Sequence, residues 1–214
     1  MMDTLDHAVM RRRTWLLAGA GACLLGRVGP AVAGGQVEEP LMDSVRSALS
    51  ASIANSSPPR PVFGSAQSQA GYLAWLEDMS ERLKRYKADQ LTRTEFLETL
   101  WYESKRAGLD PAMVLGIVQV ESAFRKYAIS SAGARGYMQV MPFWARLIVD
   151  GEPARLFHMQ TNLRFGCVIM RHYLDIERGD LFLALGRYNG SRGRPEYPGL
   201  VFAAQRRWES SANA

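Results

Sequence analysis

Glu121 is a carboxylate placed where the pattern of its own segment demands an apolar residue. It lies four residues after Ile117, three after Val118 and seven after Val114, on one face of a helix expected over 111–123. It also falls in that helix's last turn, where the macrodipole disfavours a negative group by a few tenths to about 1 kcal/mol. Desolvation and dipole both favour the neutral carboxyl, the form a general acid needs near neutral pH. A glutamate that instead points along the helix end to solvent, or caps the next turn with Ser122, does no chemistry, and periodicity leaves both readings open. The other carboxylates fit structural roles: Asp175 and Glu177 at a charged helix end, Asp180 as a helix cap, Glu38 and Glu39 in an N-terminal arm. None pairs with Glu121 by spacing.

Other chemistries lack their residues. His158 and His172 stand fourteen positions apart with no Glu at ligand spacing, and the HExxH, GxSxG and P-loop patterns are absent. Both histidines read as surface or helix-face residues. The run SSAGARG follows no strand and precedes no Lys-Ser or Lys-Thr pair, which argues against a phosphate cradle. No metal site is expected.

The elements that must position Glu121 are helical. Tyr72, Trp75, Leu76, Met79, Leu83 and Tyr86 share one face of an amphipathic helix. Thr92 and Glu95 have the spacing of a capping box, which predicts a second helix starting there and ending near Gly108. Asp110 and Pro111 supply a cap and a first-turn proline for the third helix, the most apolar in the chain. Further helices are expected around 141–149, 161–176, from the cap Asp180, and from about 198 to 208. No stretch alternates with period two between turns, so the class is all-α.

The chain has 214 residues, 47% of them hydrophobic and 22% charged, enough for one core and too apolar for a disordered chain. Residues 1–33 have the grammar of a signal peptide: Arg11 to Arg13, the run TWLLAGAGACLLG, then Ala31-Val32-Ala33. That run is too short for a permanent transmembrane anchor. The order Arg12-Arg13-Thr14-Trp15-Leu16 also fits a twin-arginine signal, and Cys23 is the residue a lipoprotein reading would use. Without residues 1–33 the net charge falls from +5 to +3, suited to an anionic wall polymer and far from the basic stripe of a nucleic-acid binder. Cys167 is then the one cysteine left, excluding an internal disulfide and a thiolate zinc site; it reads as a small buried hydrophobe. Residues 34–70, rich in Ser, Pro and Gly apart from a short helix near 41–54, read as a linker or loose arm, followed by one domain over 71–210.

Four blocks in order, VLGIVQVESAF, ISSAGARGYMQVMP, TNLRFGCVIMRHYL and DLFLALGRYNG, resemble the catalytic domain of the soluble lytic transglycosylase family, related in fold to goose-type lysozyme. The likeness spans a motif core of about 105–200, and GARGYMQVMP is its most specific part. It implies a lysozyme-like all-α domain, preceded by a helical segment and the arm, in an exported, periplasmic protein. The catalytic acid/base falls on Glu121 and a second catalytic group, a tyrosine close to it, on Tyr188. Substrate contacts fall on Ser122 and Ser130, on Gly136, Met138 and Gln139 of the cleft motif, and on Asn189. Tyr137 and Met138 are expected to offer apolar surface to sugar faces, with Tyr137 as a plain core residue the other reading. Three departures stand out: Tyr137 replaces the leucine of GLMQ, Val140 replaces another leucine, and GRYNGSRGRPEY replaces the usual AYNAG ending. The last brings Arg187, Arg192 and Arg194 into the final loop, where they read as a solvated face or a selector of peptide stems.

The resemblance also accounts for the missing second carboxylate. One glutamic acid suffices when the substrate's own N-acetyl group takes the other role. The implied reaction cleaves the β-1,4 bond between N-acetylmuramic acid and N-acetylglucosamine and leaves a 1,6-anhydromuramic end, with no cofactor. The implied partners are peptidoglycan glycan strands and, beyond them, cell-envelope assembly proteins. A lysozyme-like hydrolase using the same glutamate, and an inactive wall-binding assembly factor, are the other readings the residues leave open.

Overall fold

A computed structural model describes residues 45–47, 49–50, 61–146 and 152–210. The signal peptide expected at 1–33, including Cys23, and most of the expected arm lie outside the described residues. Residues 45–47 and 49–50 are helical, within the short helix expected near 41–54, and Leu49 is fully buried. The helices that follow are α1 (Ala66–Leu83), α2 (Gln90–Arg106), α3 (Pro111–Ser122), α4 (Pro142–Arg146), a 3-10 turn (Pro153–Phe157), α5 (Met159–Ile176), α6 (Leu181–Asn189) and α7 (Glu196–Gln205). Among the described residues extended pairing is limited to the isolated bridges Ile129–Arg135 and Arg135–Val140, and the all-α expectation holds. No described helix is long and apolar enough to cross a membrane.

The caps explain the boundaries. Asp110 accepts from the Ala112 amide ahead of Pro111, and Asp180 accepts from the Leu183 amide, as their types predict. α1 starts at Ala66 on a Ser65–Ser68 capping box, five residues before the expected domain edge at 71. The Thr92–Glu95 box does not form. Asp89 caps α2 instead by accepting from the Thr92 amide, and Glu95 accepts from the Gln160 side chain at 2.7 Å.

α3 lies at the centre, with residues 111–118, 121 and 122 buried, as an all-apolar helix must. It runs antiparallel to α7. A Cβ on Gly116 would stand 2.9 Å from the Gln205 amide nitrogen and 3.0 Å from the Val201 carbonyl, so the two backbones pack closer than any side chain permits. At the far end Gln205 donates to Asp110 at 3.2 Å. This packing sets the last turn of α3 against the first turn of α7. On the opposite side Arg164 of α5 donates to the buried Glu103 of α2 at 2.8 Å, closing the bundle.

Candidate active site

The antiparallel seam brings Glu121, in the last turn of α3, to Tyr197, in the first turn of α7. Glu121 is 9% exposed; its Oε1 accepts a 2.6 Å hydrogen bond from the Tyr197 hydroxyl, and its Oε2 is buried with no partner. Burial pushes the carboxyl up from 4.5 to about 8, against the smaller opposing effect of the Tyr197 hydrogen bond. Tyr197, 4% exposed, is itself pushed well above the usual phenol range by burial and the adjacent glutamate. At neutral pH Glu121 is therefore a carboxylic acid. With Oε1 engaged by Tyr197, Oε2 is the carboxyl oxygen that has no hydrogen-bond partner.

The chain leaves this site by a strained turn. Ala123 and Phe124 both take left-handed φ values, 49° and 62°, which are unfavourable for side-chain-bearing residues. Aromatic packing holds them: Phe124 is 2% exposed and its ring lies 4.8 Å from Tyr86 and 5.3 Å from Trp208, centroid to centroid. Trp208 in turn donates to Gln119 at 2.8 Å. The following loop returns to the same helix end, where the Ser122 hydroxyl donates to the Tyr137 carbonyl at 2.7 Å.

The residues of GARGYMQ organise that loop from inside. Gly136 has φ 76°, and a Cβ there would stand 2.3 Å from Asn162 Nδ2, so glycine is required twice over. Asn162, buried on α5, donates to the Arg135 and Leu156 carbonyls at 2.8 Å and accepts from the Met138 amide at 2.8 Å. Met138 lies against Gly166, whose absent side chain makes its room. Gln139, at φ 48°, donates to the Ala128 and Gly136 carbonyls.

Several expected sugar contacts are thus corrected. Tyr137 is 1% exposed, Met138 fully buried and Ser122 1% exposed, so none offers surface to a sugar; they hold the loop on α3. Tyr137 is engaged instead by Lys87, whose Nζ donates to its hydroxyl at 2.8 Å. Gly136 and Gln139 are buried with them. Ser130 and Asn189 keep partial exposure, with Ser130 Oγ accepting from the Ala134 amide and Asn189 donating to Ser191. Tyr188 does not bond Glu121: its hydroxyl donates to the Met138 carbonyl at 2.7 Å, and the tyrosine on the glutamate is Tyr197.

Among the described residues no group of three or more His, Cys, Asp or Glu could hold a metal ion. A cavity of about 560 Å³ lined by Tyr72, Trp75 and Trp101 sits at the start of α3. Ten residues of helix separate that start from Glu121, about 15 Å, which places the cavity outside the site.

Residues 99–198 match the family described as Transglycosylase SLT domain. A membrane-bound lytic murein transglycosylase C of Actinobacillus pleuropneumoniae is 35% identical over 99 residues, covering 44% of this chain and 24% of the relative. A transglycosylase of Enterobacteria phage PRD1 is 32% identical over 114 residues, covering 50% of this chain and 42% of the relative. The chain spans about a quarter of the length of the first of these curated relatives. A solved structure, an inactive mutant of the lytic transglycosylase Slt from Pseudomonas aeruginosa, aligns with TM-score 0.43 and 20% identity over 76% of this chain and 32% of its own.

Proposed function

We propose that this chain, whose residues 99–198 match the family described as Transglycosylase SLT domain, is a peptidoglycan lytic transglycosylase in which Glu121 acts first as general acid and then as general base. The observation that carries this reading is the setting of the Glu121 carboxyl, buried at the end of α3 and partnered on one oxygen alone, where burial pushes it up to about 8.

The chemistry follows from that state. Oε2 donates its proton to the glycosidic oxygen between N-acetylmuramic acid and N-acetylglucosamine as the bond to muramoyl C1 breaks. The neighbouring N-acetyl oxygen supports the developing positive charge at C1, the role a second carboxylate has in other glycosidases. Glu121, now a carboxylate, takes the proton of the muramoyl C6 hydroxyl, and the C6 oxygen closes on C1. The glutamic acid is restored, no water is consumed, and the product ends in a 1,6-anhydro ring. Tyr197 serves the middle of this cycle, because its hydrogen bond strengthens when Glu121 is charged. A contact stronger in the transition state than in the ground state accelerates the reaction. Ser130 and Asn189, with polar atoms at partly exposed positions, are the residues assigned to the sugar chain; Gly136, Gln139 and Tyr188 shape the wall behind them. The substrate lies outside the cytoplasmic membrane, which fits export by the leader at 1–33 to the periplasm, with the lipoprotein reading of Cys23 as its variant.

Mass spectrometry of soluble products from purified peptidoglycan tests this reading, with Glu121→Gln in parallel. Anhydro ends are expected from the wild type and none from the variant. Reducing ends would make the protein a hydrolase, and retention on the wall without release would make it a binding factor.

A further inference from the structure

Tyr197 reaches Glu121 at the very start of α7, and that start has no side-chain cap of its own: Pro195 occupies the cap position. The Gly116 seam aligns α7 along α3, and the loop 190–195 leads the chain into that uncapped first turn. The loop contains Gly190 and Gly193, both at positive φ, and two glycines give an unrestrained segment many conformations. It nevertheless folds back tightly on the end of α6. The Ser191 amide donates to the Gly186 carbonyl at 2.7 Å, and a Cβ on Gly186 would stand 2.9 Å from Arg192 Cα.

A carboxylate from a third element adds a further restraint. Glu177, the C-terminal cap residue of α5, is 9% exposed. Arg192 of the loop grips it with two parallel bonds, Nε to Oε1 at 2.7 Å and Nη2 to Oε2 at 2.8 Å. Arg187 of α6 donates to Oε1 at 2.8 Å. Two-pronged guanidinium–carboxylate pairs fix orientation as well as distance. The same carboxylate keeps the two guanidinium groups, which repel each other, in one place. Glu177 is withdrawn from solvent, whereas the Arg192 side chain that grips it stays half exposed, the solvated position its type suggests.

We propose that Glu177 is a positioning residue for the reaction: by clamping Arg187 and Arg192 it fixes the loop 190–195, so that α7 begins where the Tyr197 hydroxyl meets Glu121. The proposal rests on the acid/base reading of Glu121, and it predicts that damage at Glu177 is transmitted through Tyr197 and through no other group of the site.

The test is a double-mutant cycle on the full chain with Glu177→Gln, Tyr197→Phe and their combination, using kinetics on peptidoglycan fragments and the pH profile of kcat. Glu177→Gln is expected to lower kcat about 10-fold with KM within about twofold, the size of a weakened charge-assisted hydrogen bond. The basic limb should move to higher pH, as in Tyr197→Phe, because the bond that opposes the upward shift of Glu121 is weakened. The double variant should lose no more than Tyr197→Phe alone. Unchanged kcat and pH limb, a change confined to KM, or losses that multiply in the double variant would each overturn the proposal. Arg192→Gln leaves the Arg187–Glu177 pair in place and carries the same expectation if Glu177→Gln does not fold. Titration of the Glu121 carboxyl by carbon-13 NMR separates this idea from the functional reading. An upward shift in Glu177→Gln supports the clamp whatever the wild type cleaves, and an unmoved Glu121 removes it.

Discussion

Glu121 and Glu177 each keep 9% of their surface exposed, and yet their carboxyls are pushed in opposite directions, Glu121 up by desolvation and Glu177 down by its hydrogen bond from Arg192. Glu121 has one neutral phenol on one oxygen, nothing on the other, and is held neutral up to about 8. Glu177 has both oxygens filled by the guanidinium groups of Arg192 and Arg187, which hold its carboxyl down to about 2. Desolvation decides the outcome where the partner is one neutral phenol, and the guanidinium partners decide it at Glu177. The first arrangement keeps a proton available for chemistry. The second keeps a permanent charge that can serve only as a fastening.

The comparison can be broken most severely at Glu121. Glu121→Gln retains shape but has no proton to give, and activity is expected to fall about 1,000-fold or more, within the range that a general acid/base contributes. A turbidity assay beside circular dichroism checks that the loss is chemical. Tyr197→Phe removes the one polar partner; kcat is expected to drop about 10- to 100-fold, the weight of a hydrogen bond to a charged group, while the basic limb of the profile moves upward. A variant with wild-type kcat would show that the carboxylate formed in mid-reaction does not depend on this phenol.

Two pH dependences of stability sharpen the contrast, and they have different signs. Between the ordinary value of 4.5 and about 8, folded Glu121 keeps a proton that the unfolded chain has released. Stability therefore falls as pH rises through that window, by at most about 1.4 kcal/mol per pH unit from this group. Thermal melts from pH 5 to 8 should show the decline in the wild type and a shallower one in Glu121→Gln. Glu177 works the other way: its contribution is present above 4.5 and is lost as pH falls toward about 2. Acid unfolding should begin at higher pH in Glu177→Gln than in the wild type. The smallest effect is expected from Tyr188→Phe, which loses a hydrogen bond to the Met138 carbonyl worth about 1 kcal/mol of stability. Its kcat should fall less than that of Tyr197→Phe, and a reversed order would restore Tyr188 as the catalytic tyrosine.

What could be read from the sequence was local. Glu121 announced itself because helical period placed it among Val114, Ile117 and Val118, and Asp110 and Asp180 announced their helices because a cap acts on amides two or three residues away. The Thr92–Glu95 box misled because Asp89, three residues earlier, competes for the same Thr92 amide, and Glu95 is drawn away by Gln160 on a different helix. Tyr197 and Glu121 are 76 residues apart, and the close packing of α3 on α7 at Gly116 brings them together. Periodicity cannot show such a contact. The same holds for Glu177, which reads as an ordinary charged helix end until the loop after α6 folds back onto it. Tyr137 and Met138 were assigned to sugar faces by the family motif, and their burial turns on Asn162 and Gly166, partners that lie on α5.

The most direct test of the account is a carbon-13 NMR titration of the glutamate carboxyls in the full wild-type chain, with Glu121 and Glu177 assigned by substitution. The account predicts that Glu121 titrates near 8 and that Glu177 stays ionised down to about 2. A Glu121 that titrates near 4.5 would contradict it, since a carboxylate already charged at neutral pH has no proton for the glycosidic oxygen.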